Sequence, residues 1–317
     1  MAVAVERNGI PVMLHTHYNN TVARGLIEQN HVPGLEDATI MKAEHAIGHS
    51  RFDFLLRKGS RDILLEVKSC TLFNDTLAMF PDAVTARGTK HLLELASLSR
   101  KGMDAAVLFI VHAPDVQYFM PEHHTDLEFS QTLLSIRDRV MVKAVSVGWN
   151  NDLTIGNDVR ELTIPWDMVR RESHDSGSYI VILQLARDRR IPVGGIGNIK
   201  FRKGFYFYVG SAKKNLTQRI NRHRSERKKL FWHIDYLREH AGFHAALPIR
   251  TSAGLECEIA ASMSTMADWQ VDDFGSSDCS CETHLFGMKD DPVHSPEFIR
   301  RLLYFRMGRL EEELRHA

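Results

Sequence analysis

A predicted β-hairpin over residues 51–69 constrains the fold more than any other segment of this chain. It reads RFDFLLRKGSRDILLEVKS, in which apolar runs flank the dipeptide Gly59-Ser60, typical of a two-residue hairpin turn. A turn of that length sets the register and places Asp53 directly opposite Glu66. Directly opposed side chains have Cβ atoms about 5 Å apart, so the two carboxylates would lie side by side on one face of the sheet.

The same register predicts that Arg57 faces Asp62 and that Lys68 points the same way as Glu66. Two neighbouring carboxylates repel each other unless a cation neutralises them or one is protonated. A shared Mg²⁺ is one solution, in which Lys68 would orient a metal-bound water or stabilise charge on a phosphate. The alternative is charge pairing across a surface hairpin, and spacing alone does not decide between the two.

The hydrophobic pattern predicts an α/β fold class. The first half of the chain has the order αβββαβ, with a further helix before its last strand. The predicted elements are a helix over 19–29, strands over 38–46, 51–57 and 62–69, a helix over 82–100, a strand over 105–111, a helix over 127–139 and a strand over 142–147.

A second domain is predicted because 317 residues exceed what one core usually organises, and because residues 150–178 lose their periodicity. The predicted division is a first domain over 1–150, a linker over 151–175, a smaller mixed α/β domain over 176–292 and a C-terminal helix over 293–317. Within the second domain the pattern predicts strands over 179–186, 205–210 and 243–250, a helix beginning near 212, and helices over 231–240 and 254–266. Ser295 followed by Pro296 indicates the start of the last helix.

The distribution of charge, rather than its total, points to a polyanionic partner. Lys plus Arg and Asp plus Glu balance at 40 each, yet residues 187–229 carry fourteen Lys or Arg against two acids. Such a local field favours a phosphate backbone, and the alternative is a solvated surface that keeps the protein soluble. Four cysteines over this length do not resemble a secreted disulfide scaffold and favour a reducing cytoplasm. The sequence has no apolar stretch of about 20 residues, so neither export nor membrane insertion is expected.

Four segments of the first half resemble the sugar fermentation stimulation protein family. They are HYNNTVARGLIEQN, GHSRFDFLL, LLEVKSCTL and MFPDAVTARGTKHLLEL, within a likeness that covers roughly residues 10–148. The nuclease-like part of that family has the PD-(D/E)XK fold of restriction endonucleases. The resemblance implies that Asp53 and Glu66 are metal ligands and that Lys68 is catalytic. Glu44 is a candidate auxiliary acid, with an exposed strand-end carboxylate as the alternative. Relatives carry a small OB-like barrel before this part. We expect this barrel to be missing here and DNA contacts to come from elsewhere.

The helix that follows the hairpin carries a candidate phosphate-binding site. Arg87, Lys90 and His91 share a face by their spacing, near Asp82 at the start of the helix. An ordinary solvated helix face is the alternative, and the spacing does not separate the two.

A second constellation is predicted in the other half of the chain. Tyr179 opens one strand and Tyr208 closes the next, so an antiparallel pair would bring both phenols to the same end of a sheet. The following helix groups Arg219, Arg222 and His223, which would hold a phosphate well. Two strand tyrosines by themselves are more often core or interface packing.

The ordered set GSY (177–179), YVGSA (208–212), Arg219 and RH (222–223) resembles the GIY-YIG nucleases. WHIDYL, LECEIA and FGSSDCSCETHLF are similar to a poorly characterised prokaryotic branch of them, and the likeness covers roughly residues 176–290. Ser178 replaces the usual Ile. The resemblance implies that Tyr179 or Tyr208 helps to activate water and that Arg219 stabilises the phosphate. It also implies that Glu256, rather than Glu258, holds Mg²⁺. The remaining candidates are His223 as a catalytic residue, and Lys213, Lys214 and Arg222 as nucleic-acid contacts.

A third candidate site is a zinc site formed by Cys279, Cys281 and His284, with Cys257 or His233 as a further ligand. The C-x-C-x2-H spacing is unusual for zinc, and reduced thiols in a packed loop explain it equally well.

These features predict a metal-dependent nuclease that uses Mg²⁺ or Mn²⁺ at two distinct sites, with DNA as the favoured substrate. A DNA-binding transcriptional regulator with one or both sites inactive is the main alternative, and an RNA-processing nuclease is the second. The oligomeric state stays open at this stage.

Overall fold

The computed structural model describes residues 3–7, 9–14, 18–48 and 50–316. The chain divides into two compact units, Met1–Arg170 and Arg171–Ala317. Each is a mixed α/β unit with its own hydrophobic cores. No helix in the described ranges is both long and apolar enough to cross a membrane.

The first unit contains most of the predicted elements and several short strands besides. In chain order these are β1 (Ala4–Arg7), β2 (Ile10–Met13), α1 (Asn19–Glu28), β3 (Thr39–Ile47), β4 (Ser50–Lys58), β5 (Arg61–Cys70), β6 (Leu72–Phe73), β7 (Leu77–Phe80), α2 (Ala86–Ser99), β8 (Asp104–Val111), β9 (Tyr118–Pro121), α3 (Leu127–Ile136), β10 (Met141–Trp149), β11 (Ile155–Glu161) and α4 (Trp166–Glu172), whose last residues belong to the second unit.

A six-stranded sheet with the order β11-β10-β8-β5-β4-β3 forms the centre of this unit. β3, β4 and β5 pair antiparallel, whereas β5, β8 and β10 run parallel. The parallel strands are apolar on both faces because both faces are covered, with α2 and α3 packed on one side and α1 on the other.

The predicted hairpin register is confirmed, since Arg57 pairs with Asp62 and Leu55 with Leu64. The last pair of this ladder is Phe54 with Leu65, so regular pairing ends just before Asp53.

The helix predicted over 82–100 begins only at Ala86. Thr85 caps it by accepting a hydrogen bond from the N–H of Gly88. The residues before the cap follow β7, which pairs with β9.

The linker predicted over 151–175 needs correction. Its first part forms β11, which pairs antiparallel with β10 at the edge of the sheet, and its second part contains α4. Hydrogen bonding to β10 orders this polar stretch, whose sequence lacks the periodicity from which a strand is predicted. The boundary between the compact units lies at Arg170 and Arg171.

The second unit is built on an antiparallel sheet with the order β16-β12-β15-β18-β17. Its elements are β12 (Gly177–Leu185), β13 (Arg189–Val193), β14 (Gly197–Phe201), β15 (Gly204–Ala212), α5 (Leu216–Arg224), α6 (His233–Arg238), β16 (Gly242–Arg250), α7 (Glu256–Ser264), β17 (Trp269–Gln270), β18 (Leu285–Met288), α8 (Pro296–Leu303) and α9 (Arg309–Arg315). β13 and β14 form a separate hairpin. Helices α5 and α6 pack on one face of the sheet, and α7 and α8 pack on the other.

The predicted C-terminal helix begins as expected, because the Ser295 hydroxyl accepts from the N–H of Phe298 and Pro296 occupies the first helical position. It is not one continuous α-helix, since a π-helical turn over Tyr304–Gly308 separates α8 from α9.

Candidate active sites

Glu66 is the central side chain of the candidate site in the first unit. It lies on β5 and is only 4% exposed. Its Oε1 accepts hydrogen bonds from Lys68 Nζ and from His91 Nδ1, each at 2.6 Å. Its Oε2 is buried without a hydrogen-bond partner among the described residues. A buried carboxylate oxygen left unpaired costs free energy, and a bound cation would remove that cost.

Asp53 lies beside Glu66 and is held by two neighbours. Its Oδ2 accepts from the N–H of Val67 at 2.8 Å, and its Oδ1 accepts from Asn20 Nδ2 at 2.9 Å. The carboxylate therefore bonds the backbone of β5 at the point where regular pairing of the hairpin ends. Asn20 lies on α1, and nothing in its spacing along the sequence connects it with Asp53.

The two carboxylates differ in their electrostatics. Burial, together with the negative charge of Glu66, raises the pKa of Asp53. Burial acts in the same direction on Glu66, but the hydrogen bond from His91 and the ammonium of Lys68 outweigh it and hold the pKa of Glu66 below its usual range. Glu66 is thus the more readily ionised of the pair, and Asp53 would gain most from a cation placed between them.

The three residues predicted to form one phosphate-binding face of α2 differ in their exposure to solvent. Arg87 and Lys90 are exposed on α2, as a phosphate contact requires, and Asp82 is exposed before the helix. His91 is 6% exposed and hydrogen-bonds Glu66, so its placement on the open face is wrong. A helix buries the side that carries its apolar residues, and position 91 begins the run that continues with Leu92 and Leu95 in the core.

Glu44 lies on β3 between Ala43 and His45, which pair with Phe54 and Phe52, so its backbone lies across from Asp53. Its side chain is 63% exposed and forms an ion pair at 3.3 Å with the equally exposed Arg51. The exposure and the ion pair agree with the alternative given for this residue, an exposed strand carboxylate.

In the second unit, one cavity of about 340 Å³ is lined by Tyr179, Tyr208, Arg219 and Glu256. The register of β12 and β15 explains the two phenols. Tyr179 pairs with Gly210 and Tyr208 pairs with Val181, so the rings project from one face with centroids 6.4 Å apart.

Glycine is required opposite Tyr179 because a Cβ at position 210 would lie 2.5 Å from the Tyr179 hydroxyl oxygen.

Tyr179 is hydrogen-bonded to His223, with its hydroxyl 2.9 Å from Nε2. His223 is almost fully buried, and burial together with the neighbouring Lys228 and arginines lowers its pKa to about 3, so its ring is neutral at pH 7. Its Nδ1 lies 4.0 Å from Asp235 Oδ1. A carboxylate near Nδ1 favours the tautomer with the proton there, which leaves Nε2 to accept a hydrogen bond from the phenol. Burial raises the pKa of both Tyr179 and Tyr208, so both phenols stay protonated.

The two arginines of α5 differ in what they contact. Arg219 lines the cavity, with its guanidinium 4.4 Å from the centre of the Trp232 ring. Arg222 lies 4.2 Å from the same ring but forms a bidentate pair with the fully buried Asp235, at 3.0 and 2.8 Å. Lys228 also contacts this carboxylate at 2.9 Å. Arg222 therefore belongs to a buried charge cluster, which corrects its assignment as a nucleic-acid contact.

Glu256 begins α7 and reaches the cavity from its other side. Its Oε2 accepts from the hydroxyl of Ser211, and its Oε1 lies 3.3 Å from His284 Nδ1. Burial would raise the pKa of Glu256, but the His284 and Ser211 contacts lower it below the usual range. Glu258 is exposed and does not line this cavity.

A neighbouring cavity of about 540 Å³ shares Glu256 with the first and extends to Lys213, which is exposed like Lys214. Cys257, Cys279 and His284 line it as well. One ligand atom from each of these three residues and from Cys281 lies within 4.8 Å of the others. Cys257 and His233 were the two candidates for a further zinc ligand. Cys257 lies in this cluster, whereas His233 does not, and its Nδ1 accepts a hydrogen bond from the N–H of Gly275 at 3.3 Å.

The site includes three further residues for which the sequence predicted no role: Trp232, Asp235 and Ser211. They lie in the quoted motifs WHIDYL and YVGSA, so the motifs were the only signal by which they could have been found.

Two family models match the chain in tandem. Residues 17–152 match the sugar fermentation stimulation protein RE domain, and residues 178–303 match a domain of unknown function, DUF123. These matches agree with the two-domain organisation and with the resemblance noted for the first half.

Curated proteins named sugar fermentation stimulation protein homolog are similar to the first half. The protein from Methanosphaera stadtmanae is 41% identical over 132 residues, which are 41% of this chain and 54% of that protein. The protein from Clostridium botulinum strain Hall is 42% identical over 130 residues, which are 38% of this chain and 56% of that protein. The chain thus spans about half the length of the curated relatives it matches. Among solved structures, the structure of Pyrococcus furiosus SfsA in complex with Ca²⁺ aligns with a TM-score of 0.49 at 29% identity, covering 52% of this chain and 71% of that one.

Proposed function

We propose that this chain is a divalent-metal-dependent nuclease with two candidate active sites, a PD-(D/E)XK site in the first unit and a GIY-YIG site in the second. The observation that carries the proposal is the cavity of the second unit. Tyr179, Tyr208, Arg219 and Glu256 come from four different elements, yet their side chains line one space of about 340 Å³. In phosphodiester hydrolysis a guanidinium can stabilise charge on the phosphate, a carboxylate can hold a cation, and a phenol can orient the attacking water.

In the second site, Arg219 is the group that binds the scissile phosphate. Stacking on Trp232 holds its guanidinium at the cavity wall, where it would stabilise the charge that develops in the transition state. The Tyr179 hydroxyl donates a hydrogen bond to His223 Nε2, and a lone pair of its oxygen can accept a hydrogen bond from water. Because the phenol stays protonated, we assign Tyr179 the role of orienting the attacking water.

In the first site, the carboxylates of Asp53 and Glu66 are the ligands for a cation, and the unpartnered Oε2 of Glu66 is the atom that fits this role. Lys68 contacts Glu66 and would place its ammonium next to the phosphate. His91 is a positioning residue that holds the other oxygen of Glu66. When bound at Asp53 and Glu66, or at Glu256, Mg²⁺ or Mn²⁺ would lower the pKa of a water and neutralise charge on the phosphate.

The substrate class follows from charge. Lys213 lines the cavity of about 540 Å³, and both Lys213 and Lys214 are exposed. Both lie within the segment of residues 187–229 that is rich in Lys and Arg. Arg87 and Lys90 are exposed on the helix that carries His91. These cations fit a phosphate backbone, and we propose DNA as the favoured substrate.

The test compares wild type with Glu66→Gln, Glu256→Gln and the double variant on labelled single-stranded, duplex and branched DNA and on RNA. Each reaction is run with Mg²⁺, with Mn²⁺ and with EDTA. Glu44→Gln and Glu258→Gln are the matched controls, because both remove an exposed carboxylate near a site but outside it. We expect metal-dependent cleavage in wild type and in both controls. Each site variant should lose about 100-fold or more of the cleavage rate on the substrate that its unit cuts, and the double variant should show no cleavage.

Two outcomes would count against parts of this proposal. If the protein cleaves RNA and does not cleave DNA, the substrate is RNA and the proposal of DNA is wrong. Binding of DNA without cleavage under all metal conditions would point to a nucleic-acid-binding protein without turnover.

A further inference from the structure

Three thiols and one imidazole lie together at the edge of the second unit. Cys257 belongs to the first turn of α7, Cys279 and Cys281 to the long connection between β17 and β18, and His284 to the residue just before β18. Their ligand atoms all lie within 4.8 Å of one another. The cluster thus joins two chain segments that are otherwise far apart in sequence.

The spacing of these atoms fits a tetrahedral metal centre. Bonds of about 2.3 Å to sulfur and about 2.0 Å to nitrogen place S and N about 3.5 Å apart around Zn²⁺, and two sulfurs about 3.8 Å apart. Cys279 Sγ lies 3.4 Å from His284 Nε2. The ring nitrogen that faces the thiols is therefore Nε2, and it is already near the distance that a shared ion requires.

Packing of reduced thiols explains the cluster less well. Cys257 is exposed, and Cys279 and Cys281 are half-exposed, whereas thiols that only fill a core are buried. None of the three forms a disulfide. Only His284 of the four is fully enclosed, and its backbone is fixed by hydrogen bonds with Val209 and Phe274 at 2.9 and 2.8 Å.

We propose that Cys257, Cys279, Cys281 and His284 bind one Zn²⁺ as a closed Cys₃His site that holds the connection of residues 271–284 against the start of α7. Four protein ligands leave no position for a substrate, so the role of this zinc is structural. The connection contains no helix or strand of its own between β17 and β18, and a metal cross-link would fix the part that carries the cysteines, which no regular secondary structure holds.

The same ion would also orient Glu256. With Nε2 bound to zinc, the remaining proton of His284 sits on Nδ1, which lies 3.3 Å from Glu256 Oε1. That nitrogen is buried without a hydrogen-bond partner among the described residues, and a slight shift would make it a donor to the carboxylate. Zinc, His284 and Glu256 would then form a chain that ends at the cation ligand of the second site. This consequence rests on the proposed function, whereas the zinc site does not.

The experiment measures metal content directly. The full chain is expressed without a histidine tag, purified without chelators, and analysed by inductively coupled plasma mass spectrometry. We expect about one zinc ion per chain. Cys257→Ser and Cys281→Ser should each lower zinc content at least fivefold after dialysis against EDTA, whereas Ser280→Ala, between the two loop cysteines, and Glu258→Gln, at the exposed position after Cys257, should retain it.

A second measurement keeps the proposal testable if the cysteine variants fail to fold. Wild-type protein titrated with a mercurial thiol reagent should release zinc to a chromogenic chelator in step with modification of its cysteines. Protein without zinc, protein with a disulfide among these cysteines, or full zinc retention in Cys257→Ser would each overturn the proposal. Zinc that is present in a protein with no nuclease activity would leave this site standing and refute only the proposed function.

Discussion

The role of His91 provides the sharpest test of the structure, because its neighbour Lys90 is a matched control one position away. His91→Ala removes a hydrogen bond of 2.6 Å to a buried, ionised carboxylate. Hydrogen bonds to charged groups contribute roughly 1.5–3 kcal/mol, and the imidazole also packs against Phe52 with centroids 5.9 Å apart. We therefore expect a loss of about 2–4 kcal/mol from the first unit. For a domain of this size, that loss corresponds to a decrease in Tm of about 4–16 °C.

Lys90→Ala should change the stability of the first unit by less than about 0.5 kcal/mol, since its side chain is 62% exposed and its ion pair with Glu94 spans 3.8 Å. Differential scanning calorimetry in EDTA measures both variants, with the transition of the first unit followed separately because a two-domain chain need not unfold in one step. His91→Gln should recover part of the lost stability and of the cleavage rate, because its amide can donate to Glu66. Equal effects of His91→Ala and Lys90→Ala would refute the placement of His91 against Glu66.

Three further predictions follow from the same geometry. Mg²⁺ at about 100 times its dissociation constant should stabilise the first unit by about 2.7 kcal/mol, and Glu66→Gln should abolish this rise in a thermal-shift assay; an unchanged rise would exclude Glu66 as a ligand. Gly210→Ala should destabilise the second unit by about 1–3 kcal/mol in urea denaturation, because its Cβ would approach the Tyr179 hydroxyl to 2.5 Å, while Gly254→Ala, with open space at its Cβ, should have little effect. The second unit should lose stability as the pH falls from about 6.5 towards 3, because the unfolded chain protonates His223 before the folded chain does. At about 1.4 kcal/mol per pKa unit this term is at most about 5 kcal/mol, and His223→Gln should flatten the pH profile; an unaltered profile would show that His223 is not the buried base.

The two corrected contacts share a physical cause. His91 and Arg222 each lie three or four residues from another basic residue, which predicts a common exposed face. In the structure both side chains turn inward to a buried carboxylate, His91 to Glu66 and Arg222 to Asp235. Helical spacing tells which residues are neighbours on the helix surface, but only the packing of the helix tells which of its faces is open.

Local patterns predicted most of the regular elements. Apolar periodicity located the long strands and helices to within a few residues, and the Gly59-Ser60 turn set the register in which Arg57 faces Asp62. The short strands β6, β7 and β9 were not predicted, because two to four residues carry too little periodic signal and exist as strands only through their partners. The same holds for β11, whose polar sequence resembles a linker.

By itself, the sequence determined which chemical groups are available and which pairs lie close along one hairpin, helix or strand pair, since turns and periodicities act over a few residues. Tertiary structure alone decided the contacts between distant segments: Asn20 with Asp53, His91 with Glu66, and Cys257 with the cysteines some twenty residues later. Such contacts depend on how helices and loops pack on the sheets. Packing is a property of the whole core, and no local pattern encodes it.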